Sequence, residues 1–206
     1  MSRKPFVLYL VRHGKTKATE KNLYCGNTDL ALSRAGRREL QKNRERYPVC
    51  DGYFSSGMIR CNETLEILLG QALSPEELVI LPFLREINLG FFDMKSHEDL
   101  KERPEYIRWI NDNTGSVKPP GGESKNMFLR RVSMGFLGLT QRILQHKLDT
   151  AMCITHGGVI VAVMQSIFPK FDSGKHLNAK LPEPGSGYKL LHSGDSGYVE
   201  FEGFNL

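Results

Sequence analysis

The strongest constraint on the fold is a pair of short apolar runs that both end at a histidine. Phe6–Val11 reads FVLYLV and Ala151–Thr155 reads AMCIT. A strand with one face in water alternates apolar and polar residues, whereas a nearly continuous apolar run suits a strand covered on both faces. Such strands occupy the middle of α/β sheets, where helical crossovers cover both sides. Neither run leaves the core through an ordinary turn of Asn, Asp or Pro. The first stops at Arg12-His13-Gly14 and the second at His156-Gly157-Gly158.

The remaining pattern agrees with a layered sheet. Strands are expected at Cys50–Ser55, Leu78–Pro82, Tyr188–His192 and Tyr198–Phe201. Helices are expected from a Ser33 cap to about Arg46, over Ile59–Leu69, over Glu123–Lys147 and over Val159–Phe168. The third carries Phe128, Val132, Phe136, Leu139 and Ile143 at spacings of three and four, one apolar face of a helix. Alternating strands and helices predict an α/β fold with a mostly parallel central sheet. At 206 residues the chain suits one domain, 1–206. The less regular stretch at about 84–122, with Pro104, Trp109 and Lys118-Pro119-Pro120-Gly121-Gly122, reads as a lid-like insertion.

The net charge of +5 suits an anionic partner. The run Arg37–Arg46 mixes both signs and reads as a solvated helix face, and no continuous basic and aromatic surface suggests nucleic acid. A membrane surface, a small anionic substrate and an ordinary mildly basic soluble protein all fit that charge balance. Cys25, Cys50, Cys61 and Cys153 form no CxxC pair and no zinc spacing, so neither a metal nor a disulfide is expected. Cys50 and Cys153 lie in apolar runs and read as core. Arg12 cuts the first apolar run too short for a leader or a membrane span, and a cytoplasmic location is expected.

Ligands of open α/β sheets bind at the carboxyl ends of the strands. Four strand ends here carry Arg12-His13-Gly14, Ser55-Ser56-Gly57 followed by Arg60, Leu84-Arg85-Glu86, and Thr155-His156-Gly157-Gly158. Arginine forks match phosphate oxygens. Gly14 and Gly157 would let the backbone approach a ligand, and the following helix N-termini would offer amide donors. One neutral histidine suits attack on phosphorus; a second, cationic one would hold developing charge. A carboxylic acid at Glu86 could protonate a leaving alkoxide. Phosphoryl transfer through a phosphohistidine needs these parts and no metal or other cofactor.

The segment LVRHGKT (Leu10–Thr16) resembles the signature of the histidine phosphatase superfamily, with its phosphoglycerate mutase-like fold. LYCGNTDLALSRAG (Leu23–Gly36), FSSGMIRCNETLEIL (Phe54–Leu68), LREINLGFFDM (Leu84–Met94), PPGGES (Pro119–Ser124) and ITHGGVI (Ile154–Ile160) resemble its further blocks in the same order. The resemblance implies a three-layer sandwich with a lid insertion. It implies phosphorylation of His13, phosphoryl binding by Arg12, Arg60 and His156, and Glu86 as general acid, then base. Three positions depart from the pattern. Thr19 stands where many members carry an asparagine near the phosphate, with Asn22 a nearby substitute. Gly57 replaces a proline, and Asp93-Met94 replaces Glu-Gly.

The implied activity is metal-independent hydrolysis of a small phosphomonoester. The segments LYCG and THGG are similar to those of the α-ribazole phosphatases, which points to α-ribazole 5′-phosphate. A phosphoglycerate mutase and a non-catalytic phospho-ligand module stay open as alternatives, as does the oligomeric state. Glu123 reads as a helix cap. Ser55 and Ser56 suit a turn or the site equally. His97, His146, His176 and His192 read as surface or packing residues, and Phe91, Phe92 and Trp109 as packing under the lid.

Overall fold

The computed structural model describes residues 4–168, 170–171 and 181–204, so His176 lies outside the described residues. Six strands form one sheet: β1 Phe6–Arg12, β2 Gly52–Ser55, β3 Leu78–Ile80, β4 Thr150–Thr155, β5 Gly187–His192 and β6 Tyr198–Phe204. Their order is β3-β2-β4-β1-β5-β6. The first four in that order run parallel, β5 is antiparallel to β1, and β6 is antiparallel to β5. The helices are α1 Lys17–Glu20, α2 Arg34–Asn43, α3 Ile59–Leu69, α4 His97–Leu100, α5 Pro104–Ile110, α6 Lys125–Gln145 and α7 Gly157–Ile167.

The side-chain alternation of β1 and β4 builds the layers. Leu8, Leu10, Ala151 and Cys153 face Phe128, Val132 and Leu139 of α6 and Val159, Ile160 and Val163 of α7. Val11, Met152 and Ile154 face Leu40 of α2 and Cys61 and Leu65 of α3. Helices thus cover both faces, which is why these two strands carry no polar face. Helix α7 is buried from Gly157 to Met164, as its apolar composition on every side requires. Among the described residues no helix is long and apolar enough to cross a membrane.

Several boundaries differ from expectation for local reasons. The third strand stops at Ile80, because Pro82 lacks an N–H and opens a 3-10 turn, Pro82–Leu84. Helix α2 ends at Asn43, and Arg44–Arg46 forms a 3-10 turn. Glu123 is not the cap of α6: Ser124 takes that place, its Oγ accepting from the Met127 amide at 3.3 Å. Helix α7 starts at Gly157, two residues early.

The stretch 84–122 holds α4, α5 and a small core of its own. Leu89, Phe92, Leu100 and Tyr106 pack together against Tyr24 and Trp109. Tyr106 Oη lies 2.6 Å from Tyr24 Oη and 2.7 Å from His97 Nδ1, so His97 is a packing residue of this cluster. Phe91 is half-exposed instead of packing underneath. His192 stacks on Phe6 at a centroid distance of 4.5 Å.

Candidate active site

The sheet register assembles the site. Arg12 pairs with Thr155 across β1 and β4, and Ser55 pairs with Ile154 across β2 and β4. The residues just past these pairs therefore emerge side by side. The His13 amide donates to Thr155 O at 2.9 Å, and the rings of His13 and His156 stand 5.2 Å apart. Arg60, in the first turn of α3, is fully buried beside them.

His13 Nδ1 lies 2.8 Å from Gly14 O. A carbonyl can only accept, so Nδ1 carries the proton and Nε2 keeps its lone pair. Burial, Arg60 and Arg12 together hold the His13 pKa well below the usual 6.5, so the ring is neutral at physiological pH. Gly14 serves packing as well. A Cβ there would meet Leu40 Cδ1 at 2.6 Å, and its amide is taken by Thr64 Oγ1 at 3.0 Å.

Arg60 donates from Nη1 to Thr28 O at 2.9 Å, from Nη2 to Gly26 O at 3.0 Å and from Nε to His156 Nδ1 at 3.3 Å. Because His156 Nδ1 accepts, its proton sits on Nε2, 2.9 Å from Ser56 Oγ. Burial and the nearby Arg60, His13 and Arg12 press the His156 pKa well below the usual value. The expected cationic histidine is therefore a neutral ring, because two guanidinium groups already supply the positive charge.

Arg12 donates from Nη1 to Pro182 O at 2.8 Å, while its buried Nε has no hydrogen-bond partner among the described residues. Buried donors are rarely left unpaired, and an oxyanion is a fitting acceptor. Burial lowers the Arg12 pKa, opposed by the charge of Glu86. A Cβ at Gly157 would stand 3.3 Å from Arg12 Nε, so Gly157 makes room for the guanidinium. Glu86 is half-buried at the N-terminus of α7, its Oε2 accepting from the Gly158 amide at 3.0 Å and its Oε1 from the Ile87 amide at 2.9 Å.

Two expected ligand residues do something else. Thr19 Oγ1 accepts from the Thr16 amide at 2.8 Å and closes a capping box on α1. Asn22 is exposed and adopts φ 52°, the left-handed conformation that ends this short helix. Ser55 and Ser56 divide the two readings: Ser55 Oγ accepts from the Gly57 amide at 3.0 Å in the turn, whereas Ser56 touches His156.

Other residues complete the arrangement without having been given a role from sequence. Thr64 Oγ1 donates to Arg60 O at 2.6 Å while accepting from Gly14, a link readable from the i, i+4 spacing. Asp93 accepts from the Gly26 amide at 2.7 Å and from the Thr28 amide and hydroxyl at 2.8 Å. It thus holds the loop whose carbonyls hold Arg60. Among the described residues no group of three or more His, Cys, Asp or Glu is placed to hold a metal ion.

The sequence model of the histidine phosphatase superfamily, branch 1, matches residues 8–201. The chain belongs to that superfamily. The chain is 33% identical over 129 residues to the adenosylcobalamin/α-ribazole phosphatase of Salmonella typhimurium, covering 61% of this chain and 62% of that protein. The match thus spans less than two thirds of that relative's length. It is 30% identical over 169 residues to phosphoglycerate mutase-like protein 4 of Arabidopsis thaliana, covering 79% of this chain and 71% of the other. The crystal structure of the α-ribazole phosphatase from Shigella flexneri superposes with a TM-score of 0.77 at 22% identity, covering 98% of this chain and 96% of that one. That likeness establishes the fold: a three-layer α/β sandwich of the phosphoglycerate mutase type.

Proposed function

We propose that this histidine phosphatase hydrolyses a small phosphomonoester without a metal, through a phosphohistidine at His13. The observation that carries this reading is the His13 ring: neutral, its Nδ1 proton tied to Gly14 O, its Nε2 lone pair free, and two guanidinium groups beside it. In the first step Nε2 attacks phosphorus and the P–O bond breaks. Glu86 gives its proton to the departing alkoxide. Arg12 and Arg60 neutralise the equatorial oxygens, the work a metal does in other phosphoryl transfers. In the second step the Glu86 carboxylate takes a proton from water, which attacks the phosphohistidine. Inorganic phosphate leaves and neutral His13 returns. His156 acts as a neutral partner of Arg60 and Ser56, and Gly157 keeps Arg12 in place. Within one domain, residues 84–122 form a wall over the site.

The substrate we favour is α-ribazole 5′-phosphate, supported by the similarity to the Salmonella enzyme. The mutase-like relative supports a second reading, in which the phosphoryl group returns to a phosphoglycerate. The test is phosphate release, with EDTA present, from α-ribazole phosphate, p-nitrophenyl phosphate, sugar phosphates and 3-phosphoglycerate. His13→Ala is the control, and product isomers are analysed. Release that requires His13 supports the phosphatase, and isomerised phosphoglycerate without net release supports the mutase. Silence on all compounds, with tight binding of phosphate, would favour a non-catalytic module.

A further inference from the structure

Glu123 and Arg131 stand outside the group of residues given roles above, yet Arg131 has every donor occupied. A guanidinium carries five N–H groups. Those of Arg131 reach Phe83 O at 2.8 Å, Arg85 O at 2.9 Å, Glu86 O at 3.3 Å, Glu123 Oε2 at 3.3 Å and Glu123 Oε1 at 2.5 Å. Three of the five partners are carbonyls of the short segment that carries Glu86. Glu123 Oε1 also accepts from the Asn88 amide at 2.9 Å, and the Glu123 amide donates to Asn88 O at 2.9 Å. The segment 83–88 is thus gripped on both sides of Glu86 by one ion pair anchored on α6. The side chains of Arg131 and Glu123 are only 23% and 12% exposed, so solvent competes weakly for these bonds.

The PPGGES segment makes this grip possible. A Cβ on Gly122 would lie 2.5 Å from Asn88 O, so only glycine lets Glu123 reach Asn88. Thr155 Oγ1 also donates to Leu84 O at 2.7 Å and Arg85 Nε to Ser56 O at 3.3 Å, both on one side of Glu86. It belongs to no strand or α-helix, and the side chain itself is held by just the Ile87 and Gly158 amides.

We infer that the Glu123–Arg131 pair positions Glu86 for proton transfer, acting through the backbone of residues 83–88. The inference rests on the proposed acid role of Glu86. A general acid works only within hydrogen-bond reach of the leaving oxygen, so an error of about 1 Å costs on the order of a hundredfold in rate. The pair touches no substrate; it sets where the acid stands.

The test uses Arg131→Lys, which keeps the charge but loses the fork, and Glu123→Gln, which is isosteric and milder. Each is assayed on phenyl phosphate, whose leaving group needs a proton, and on 2,4-dinitrophenyl phosphate, whose leaving group does not. The expected result is a loss of kcat/KM of roughly 10- to 100-fold on the first ester and little change on the second. In a Glu86→Gln background either substitution should then cost nothing more. Equal losses on both esters, or no loss on either, would overturn the inference. Backbone amide exchange supplies a readout independent of turnover. Faster exchange at Ile87 and Gly158 with unchanged β4 amides supports the grip, and unchanged exchange at all of them overturns it. A wild-type chain that hydrolyses neither ester would refute the acid role of Glu86, while the exchange result would still decide whether the pair holds the segment.

Discussion

Gly158→Ala isolates the position of Glu86 from the stability of the fold. A Cβ built at residue 158 stands 2.5 Å from Glu86 Oε1, where ordinary contact begins at 3.4 Å. The carboxyl group therefore has to move by roughly 0.9 Å. It is the far end of a flexible side chain, so the movement itself strains little. Losing the 3.0 Å bond from the Gly158 amide costs up to about 1.5–3 kcal/mol, at the low end for a half-buried carboxyl that can regain water. Alanine in place of a helical glycine returns about 0.5–1 kcal/mol. The net change is about 1 kcal/mol, a Tm shift of roughly 2–4 °C for a chain of this size. Activity behaves differently. A misplacement of about 1 Å in a catalytic group costs on the order of a hundredfold, or about 2.7 kcal/mol of barrier. The assay pairs thermal unfolding with kcat/KM on phenyl phosphate and 2,4-dinitrophenyl phosphate. Gly138→Ala is the control, because no atom of the described residues lies within 4 Å of a Cβ there; it should gain a little stability and leave turnover intact. Full activity of Gly158→Ala on phenyl phosphate would refute the claim that Glu86 works from this seat. So would a fall in both activities that merely follows loss of folded protein.

Three further outcomes are expected. His13 and His156 both have pKa values held below the usual 6.5, so the native state resists protonation that the unfolded chain accepts. Between those depressed values and 6.5 the unfolded state binds more protons, and stability rises with pH by up to about 1.4 kcal/mol per unit for each histidine. Urea midpoints measured from pH 5 to 7.5 should show this slope. His156→Asn should flatten it, and an unchanged slope would contradict the burial argument. Arg60→Lys should lower kcat/KM at least about a hundredfold, because a single ammonium cannot reproduce the fork that spans Thr28 O, Gly26 O and His156 Nδ1. Steady-state kinetics would check it, and a loss below about tenfold would remove Arg60 from the mechanism. Dialysis against EDTA should leave turnover unchanged, since two guanidinium groups supply the charge; restoration of lost activity by added Mg²⁺ would overturn the metal-free mechanism.

Much of the site was legible because its residues sit at the ends of strands that the apolar pattern makes plain. Arg12 ends β1, His13 follows it, and His156 and Gly157 follow β4, so local sequence alone places them at the carboxyl edge. What each group does there was harder to read. Thr19 and Asn22 lie at a plausible distance along the chain from His13, yet the first closes a capping box and the second ends a turn. The capping box engages the same hydroxyl a ligand would use, and only the local backbone shows that it forms. The charge of His156 was misread for a related reason. A histidine in isolation is a cation in waiting, but one enclosed with Arg60 and Arg12 stays neutral.

The chain's own pattern determined the class of fold. Two nearly unbroken apolar runs demanded a central sheet covered on both faces, and helical periodicity supplied the covers. It also determined which residue types stand at the strand ends. Tertiary structure alone decided that β4 lies between β1 and β2, although 137 residues separate the end of β1 from the start of β4. That neighbourhood sets His13 against His156, and it depends on packing among helices distant in sequence. It alone decided that the missing side chain of Gly14 admits Leu40, that the glycines of PPGGES admit Glu123 to Asn88, and that Arg131 reaches three carbonyls around Glu86. The physical reason is common to all of these. Periodicity reports whether a side chain faces oil or water, but hydrogen-bond partners and steric gaps belong to pairs of residues that meet only after the layers have closed.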